Sequence, residues 1–232
     1  MIPKKIHQIF HNWGKDLNEI ELFKKSIKTL KEKNPDFEHK VWSKDDCLDL
    51  ISNEYPEYLD FYINLRHNIQ RVDFSKICIV HSKGGFYVDM DMHCIKSFEP
   101  LLKEKLVIES NKHLLPKHNE FVQNDFLGSD KGFVFWEAVM KECVKNYKQK
   151  ENLEIYDTWK GRFVLQTTGP RFLSRAVKKF IPQYKPHYIV WHTWRNELHK
   201  VLPRENYYVE CFRSGSWLND TNKNLKTHKS FK

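Results

Sequence analysis

Residues 69–94, IQRVDFSKICIVHSKGGFYVDMDMHC, constrain the fold more than any other stretch of the chain. Ile69, Val72, Ile77 and Val80 recur at helical spacing and predict a helix over 69–82 with these residues as its buried stripe. Gly84-Gly85 ends it, and the aromatic and apolar run that follows predicts a strand over 86–91. A helix turned by two glycines into a buried strand belongs to a sheet covered by helices. The same alternation recurs along the chain and predicts an α/β fold with helices on both faces of the sheet.

The elements around this unit follow the same reading. KKIHQIF predicts a first strand. Ile20, Phe23, Ile27 and Leu30 predict a helix that Asn34-Pro35 closes. HKVW predicts a second strand, and Ser43 caps the next helix with Asp46 in the place of the usual glutamate. Further strands are predicted at 105–110, 187–191 and 206–212. Phe133, Trp136, Met140, Cys143, Val144 and Tyr147 predict a helix over 132–147. Thr168-Gly169-Pro170 opens another, with proline near the first turn.

The 232 residues are 40% hydrophobic and 14% aromatic, which suits one domain with a substantial core. The expected organisation is a single domain over 1–218 and a polar, lysine-rich tail over 219–232. No apolar run approaches the ~20 residues of a membrane-spanning helix, and the first residues lack the apolar run of a signal peptide. Cys47, Cys78, Cys94, Cys143 and Cys211 are odd in number and carry no CxxC spacing. They read as reduced thiols of a cytoplasmic protein, neither a disulfide frame nor a zinc site. A net charge of +9 points to an anionic substrate or an anionic membrane surface. No motif supports nucleic acid as a partner.

Asp89 and Asp91 raise the functional question. On a strand their side chains share one face, roughly 6.6 Å apart along the backbone, with Met90 turned away and His93 continuing the alternation. In open α/β sheets ligands bind beyond the carboxyl ends of strands. A hard divalent cation placed there turns carboxylate repulsion into coordination, and Mg2+ or Mn2+ leaves positions for a diphosphate.

The run RVDFSKICIVHSKGGFYVDMD resembles the DxD glycosyltransferases of family 32, relatives of the yeast initiating α-1,6-mannosyltransferase and, more distantly, of the clostridial glucosylating toxins. IPKKIHQIF resembles the family's opening, and TTGPRFL and GSW at 215–217 follow in the family's order. The resemblance implies a GT-A fold, a Rossmann-like single domain with a central mixed sheet. It implies a retaining hexosyl transfer from a nucleotide-diphosphate sugar, with a UDP-sugar favoured over GDP-mannose, to a glycan or glycoconjugate acceptor.

It also implies roles for residues. Asp91 would ligate Mn2+ or Mg2+, and Asp89 would contact the ribose or the metal shell. Asp73 would accept from donor-sugar hydroxyls. Lys76 stands where the family carries arginine; it supplies charge but no planar fork, and Arg71 is a candidate to compensate. Phe10 would stack on the base. Asn124-Asp125, expected in a loop, and Thr168 would lie near sugar or acceptor. Trp217 would close over the donor, with Ser216 joining the metal shell. Glu210 replaces a histidine ligand that relatives carry before the tryptophan.

Two other classes fit parts of the pattern. A DxD phosphohydrolase shares the paired aspartates, but Met92 and His93 follow them where that class has threonine or valine. A non-catalytic basic module for an anionic polymer or membrane has only the net charge in its favour.

Overall fold

The computed structural model describes residues 1–11, 16–110, 122–152, 160–184, 188–191, 194–195 and 207–212. Six strands form the main sheet: β1 (Lys5–Ile9), β2 (Glu38–Trp42), β3 (Gly85–Val88), β5 (Leu106–Ser110), β6 (Val122–Ser129) and β7 (Tyr188–Trp191). Their order is β2-β1-β3-β6-β5-β7. β1 runs parallel to β2 and β3, and β5 parallel to β7, while β6 is antiparallel to both neighbours. The sheet is therefore mixed, as the resemblance implies. A second sheet joins β4 (Met92–Cys94), β9 (Val209–Cys211) and β8 (Trp194–Arg195) in that order.

Side-chain alternation splits the core in two. Ile6, Phe86, Val88, Val107 and Phe126 face one way, toward Leu30 of α1 (Glu21–Lys33) and the β4–β9 pair. Ile9, Tyr87, Leu106, Ile108 and Leu127 face the other way. There they meet α2 (Lys44–Glu54), α4 (Asn68–Lys83), α5 (Phe135–Lys148), α6 (Lys160–Thr167) and α7 (Pro170–Phe180). α3 (Leu59–Ile63) is a short turn beside them. Ser43 caps α2 as expected: its Oγ accepts from the Asp46 amide at 3.0 Å, and its own amide donates to Asp46 Oδ2 at 2.9 Å.

Several expectations are corrected. α4 is buried on nearly every side from Val72 to Val80, not along one stripe, because it lies between the sheet, α2 and α5. α5 starts at Phe135, since Gly132 sits at φ +70° in the preceding turn. Asn124-Asp125 is inside strand β6, not in a loop. The strand predicted over 86–91 stops at Val88. The Asp89 amide still donates to Asp125 O at 2.9 Å, but the Met92 amide then donates back to Asp89 O at 3.2 Å. The paired aspartates therefore sit on a tight turn between β3 and β4, and strand alternation does not set their direction. Residue 206 and the tail over 219–232 lie outside the described residues, as does residue 187.

The glycine pair fixes how β3 docks. Gly84 and Gly85 take φ of +64° and +89°. A Cβ on Gly85 would lie 2.6 Å from Lys5 O, so only glycine lets β3 approach β1 this closely. His7 locks the same junction. Trp42 Nε1 donates to His7 Nδ1 at 3.2 Å, which leaves Nε2–H to donate to Gly84 O at 2.9 Å. Burial pushes the His7 pKa down from 6.5 to about 4.

A neutral, buried imidazole ties stability to pH. The unfolded chain binds the proton that folded His7 refuses, so its contribution is present above about pH 6.5 and is lost as pH falls toward 4. Urea denaturation of wild type should lose up to ~1.4 kcal/mol per pH unit in this window from His7 alone. His7→Gln should show a shallower slope than wild type; equal slopes would contradict the assignment.

Candidate functional site

The carboxyl end of β3 gathers a cluster of buried charge. Lys76, on α4, is 2% exposed, and its Nζ lies 2.9 Å from Asp89 Oδ1 and 3.5 Å from Asp73 Oδ1. α4 is antiparallel to β3 through the glycine turn, so its first half returns to the strand's far end. That is how Asp73 and Lys76, one helical turn apart, come to face Asp89.

Each carboxylate is held by further groups. Asp73 is 4% exposed; its Oδ1 accepts from Asn124 Nδ2 at 2.9 Å and its Oδ2 from Thr168 Oγ at 2.9 Å. The Tyr87 hydroxyl donates to Asp89 Oδ1 at 2.6 Å, and the Lys76 ammonium lies 5.0 Å from the centre of the same ring. Gln8 Nε2 reaches Asp89 O at 3.4 Å and Ser26 Oγ at 2.9 Å, and Ser26 donates to Met92 O. The turn is thus gripped from β1, α1 and β6. From the second sheet the Phe212 amide donates to Asp91 O at 3.0 Å.

The electrostatics are those of carboxylates in excess over cations. Burial pushes the Asp73 carboxyl up from its ordinary value, against the pull of Lys76. Burial does the same to Asp89, with Lys76 opposing it and Asp91 and Asp125 adding to it. The Asp89 side chain keeps 28% of its surface, so water tempers that rise. Burial works against the Lys76 ammonium, but Asp89 and Asp73 outweigh it and hold its pKa above the ordinary lysine value. One ammonium thus sits among the carboxyl groups of Asp73, Asp89, Asp91 and Asp125.

The structure does not draw every predicted residue into this cluster. Arg71 donates to Asn68 Oδ1 at 2.9 Å, Ile63 O at 2.9 Å and Leu65 O at 2.6 Å. Its guanidinium ties the start of α4 to the residues just before it. Glu210 is buried on β9 opposite His93. Among the described residues, no three His, Cys, Asp or Glu side chains form a group able to hold a metal. Phe10 is half-buried just after β1, its ring edge-on to Phe23 at 6.0 Å. Ser216 and Trp217 lie outside the described residues.

Sequence reading missed Tyr87 and Gln8. The sequence assigns neither a role, although Tyr87 stands two residues before Asp89. Asn124 and Thr168 were expected to touch sugar or acceptor; here they hold Asp73.

Residues 21–108 match the family described as the glycosyltransferase sugar-binding region containing DXD motif. A mannosyl phosphorylinositol ceramide synthase of Saccharomyces cerevisiae is 28% identical over 97% of this chain and 54% of its own length. An inositol phosphoceramide mannosyltransferase of Schizosaccharomyces pombe is 28% identical over 84% of this chain and 46% of its own length. The chain thus spans about half the length of these curated relatives. An uncharacterized glycosyltransferase of Acanthamoeba polyphaga mimivirus is 36% identical over 44% of this chain and 40% of its own length. Among solved structures, the PaToxG glycosyltransferase superposes with a TM-score of 0.57 at 17% identity, over 79% of this chain and 72% of that one. These likenesses make the fold GT-A.

The hydrogen bonds to Asp73 carry a measurable consequence. Thr168→Val removes one donor from a buried carboxylate and should cost ~2 kcal/mol in urea denaturation. A loss below ~0.5 kcal/mol would show that Thr168 does not hold Asp73.

Proposed function

From the premise that residues 21–108 carry the DXD-containing glycosyltransferase sugar-binding region on a GT-A fold, we propose that this protein is a metal-dependent, retaining glycosyltransferase. It transfers a hexose from a nucleotide-diphosphate sugar to a hydroxyl of a glycoconjugate. The observation that carries the reading is the cluster of Asp73, Lys76 and Asp89 at the carboxyl end of β3, with Asp91 on the adjoining turn.

The donor set fits a hard divalent cation. Asp89 and Asp91 offer carboxylate oxygens on a partly exposed turn. Mg2+ or Mn2+ is ordinarily held by one or two carboxylates, with substrate phosphates completing the shell. Asp91 is the direct ligand in this reading, because one Asp89 oxygen is already shared by Lys76 and Tyr87. When bound, the cation supplies Lewis-acid stabilisation of the departing diphosphate.

The chain's own groups orient the donor. Tyr87 and Gln8 fix the rotamer and backbone of Asp89. Asn124 and Thr168 fix Asp73, whose remaining lone pairs face the sugar hydroxyls. Lys76 supplies a fixed positive charge toward the diphosphate, the kind of preorganised electrostatics that lowers a barrier without reorganisation. Phe10 offers its ring to the base. The bond from the anomeric carbon to the phosphate oxygen breaks as the acceptor oxygen attacks the same face. The acceptor's proton passes to the leaving diphosphate.

The relatives' names weigh toward mannose, and so toward GDP-mannose over the UDP-sugar that the family resemblance favoured. They also name inositol phosphoceramide, which supports a lipid-borne acceptor. Among the described residues no helix is long and apolar enough to cross a membrane. The net charge of +9 supports peripheral contact with an anionic cytoplasmic surface.

A donor-hydrolysis screen with Mn2+ tests the reading. GDP-mannose should be hydrolysed faster than UDP-glucose or UDP-galactose, and EDTA should stop the reaction. Asp91→Ala should lower the rate at least ~100-fold with the fold intact. Asp91→Ala turnover near wild type would remove the metal role, and inertness toward all donors would remove the transferase reading.

A further inference from the structure

We propose that Lys76 makes the capture of a divalent cation by Asp89 and Asp91 conditional on a nucleoside diphosphate, by acting as the resident counter-cation of these carboxylates. The inference rests on the donor reading above and deepens it. It concerns the order in which the site fills.

Lys76 is well placed to exert such control. Its ammonium is buried and bonded to Asp89 Oδ1 at 2.9 Å, with Asp73 on its other side at 3.5 Å. The Tyr87 hydroxyl shares the same Asp89 oxygen, and the Tyr87 ring closes over the ammonium. The charge therefore sits beside the candidate metal ligands and is screened little by water. A bare dication approaching Asp89 meets a like charge one hydrogen bond away, in surroundings where Coulomb repulsion is strong. Lysine sharpens the effect relative to the family's arginine, because its charge is compact and lies closest to the one Asp89 oxygen at 2.9 Å.

A diphosphate reverses the balance. It brings negative oxygens that both the ammonium and the metal attract, so two neighbouring cations become favourable around one anion. Metal and nucleotide then raise each other's affinity by the same factor, as linkage requires.

Mn2+ binding to the full chain, read by electron paramagnetic resonance with and without GDP or UDP, tests the proposal. In wild type the nucleotide should tighten Mn2+ binding at least ~10-fold, ~1.4 kcal/mol. Lys76→Met should bind bare Mn2+ about tenfold tighter than wild type and gain less from the nucleotide. Lys76→Arg, which keeps the charge but spreads it, should retain a nucleotide dependence weaker than wild type and stronger than Lys76→Met. Lys76→Gln takes the place of Lys76→Met if circular dichroism shows the latter unfolded. Bare Mn2+ bound by wild type as tightly as with nucleotide would overturn the proposal. Nucleotide-dependent binding that persists unchanged in the neutral variant would overturn the part assigned to Lys76 and leave the donor reading standing. No Mn2+ binding under any condition would overturn both.

Discussion

The contact between Lys76 and Asp89 is the constraint on which the site depends. A buried lysine without a partner would give up its proton, and a buried aspartate would take one up. At 2.9 Å the Asp89 carboxylate holds the Lys76 ammonium charged and Lys76 pulls the Asp89 carboxyl back toward ionisation, and Asp73 joins them from one turn earlier on α4. Breaking such a buried pair by removing one partner costs far more than an exposed ion pair is worth. The pair stays favourable here because Tyr87, Asn124 and Thr168, drawn from three different segments, also donate to the two carboxylates.

The fold exists around this contact in a specific sense. Gly84 and Gly85 bring β3 against β1, and His7 bridges from Trp42 to the glycine turn. That docking fixes where β3 ends, and so where Asp89 meets Lys76. β6 beside β3 then delivers Asn124 and Asp125 to the same edge, and α7 begins there with Thr168 just ahead of it. The two-sided core keeps the sheet rigid, while the turn over residues 89–91 is the partly open edge where a ligand can reach two carboxylates.

Much of this was legible in the sequence where the signal is local. The helix-glycine-glycine-strand unit, the capped start of α2 and the α/β class follow from spacing and turn chemistry within short windows. The convergence of Asp73, Lys76 and Asp89 follows from an antiparallel helix and strand joined by a tight turn. Signals that depend on distant partners were hidden. Asn124-Asp125 read as loop because both are polar turn formers, and only the neighbours β3 and β5 make this stretch the strand β6. β4 is three residues long and needs β9, over a hundred residues later, to exist. Tyr87 and Gln8 drew no assignment because hydroxyl and amide roles depend on what lies opposite them. Arg71 read as a spare cation because the backbone carbonyls that occupy it come from the turn of Ile63 and Leu65.

A crystal structure with Mn2+ and GDP-mannose or its nucleoside diphosphate tests the central claim most directly. The account predicts manganese density against Asp91, the diphosphate bridging it toward Lys76, and Asp89 still held by Lys76 and Tyr87. Nucleotide bound away from the turn over residues 89–91, with no metal at these carboxylates, would contradict it.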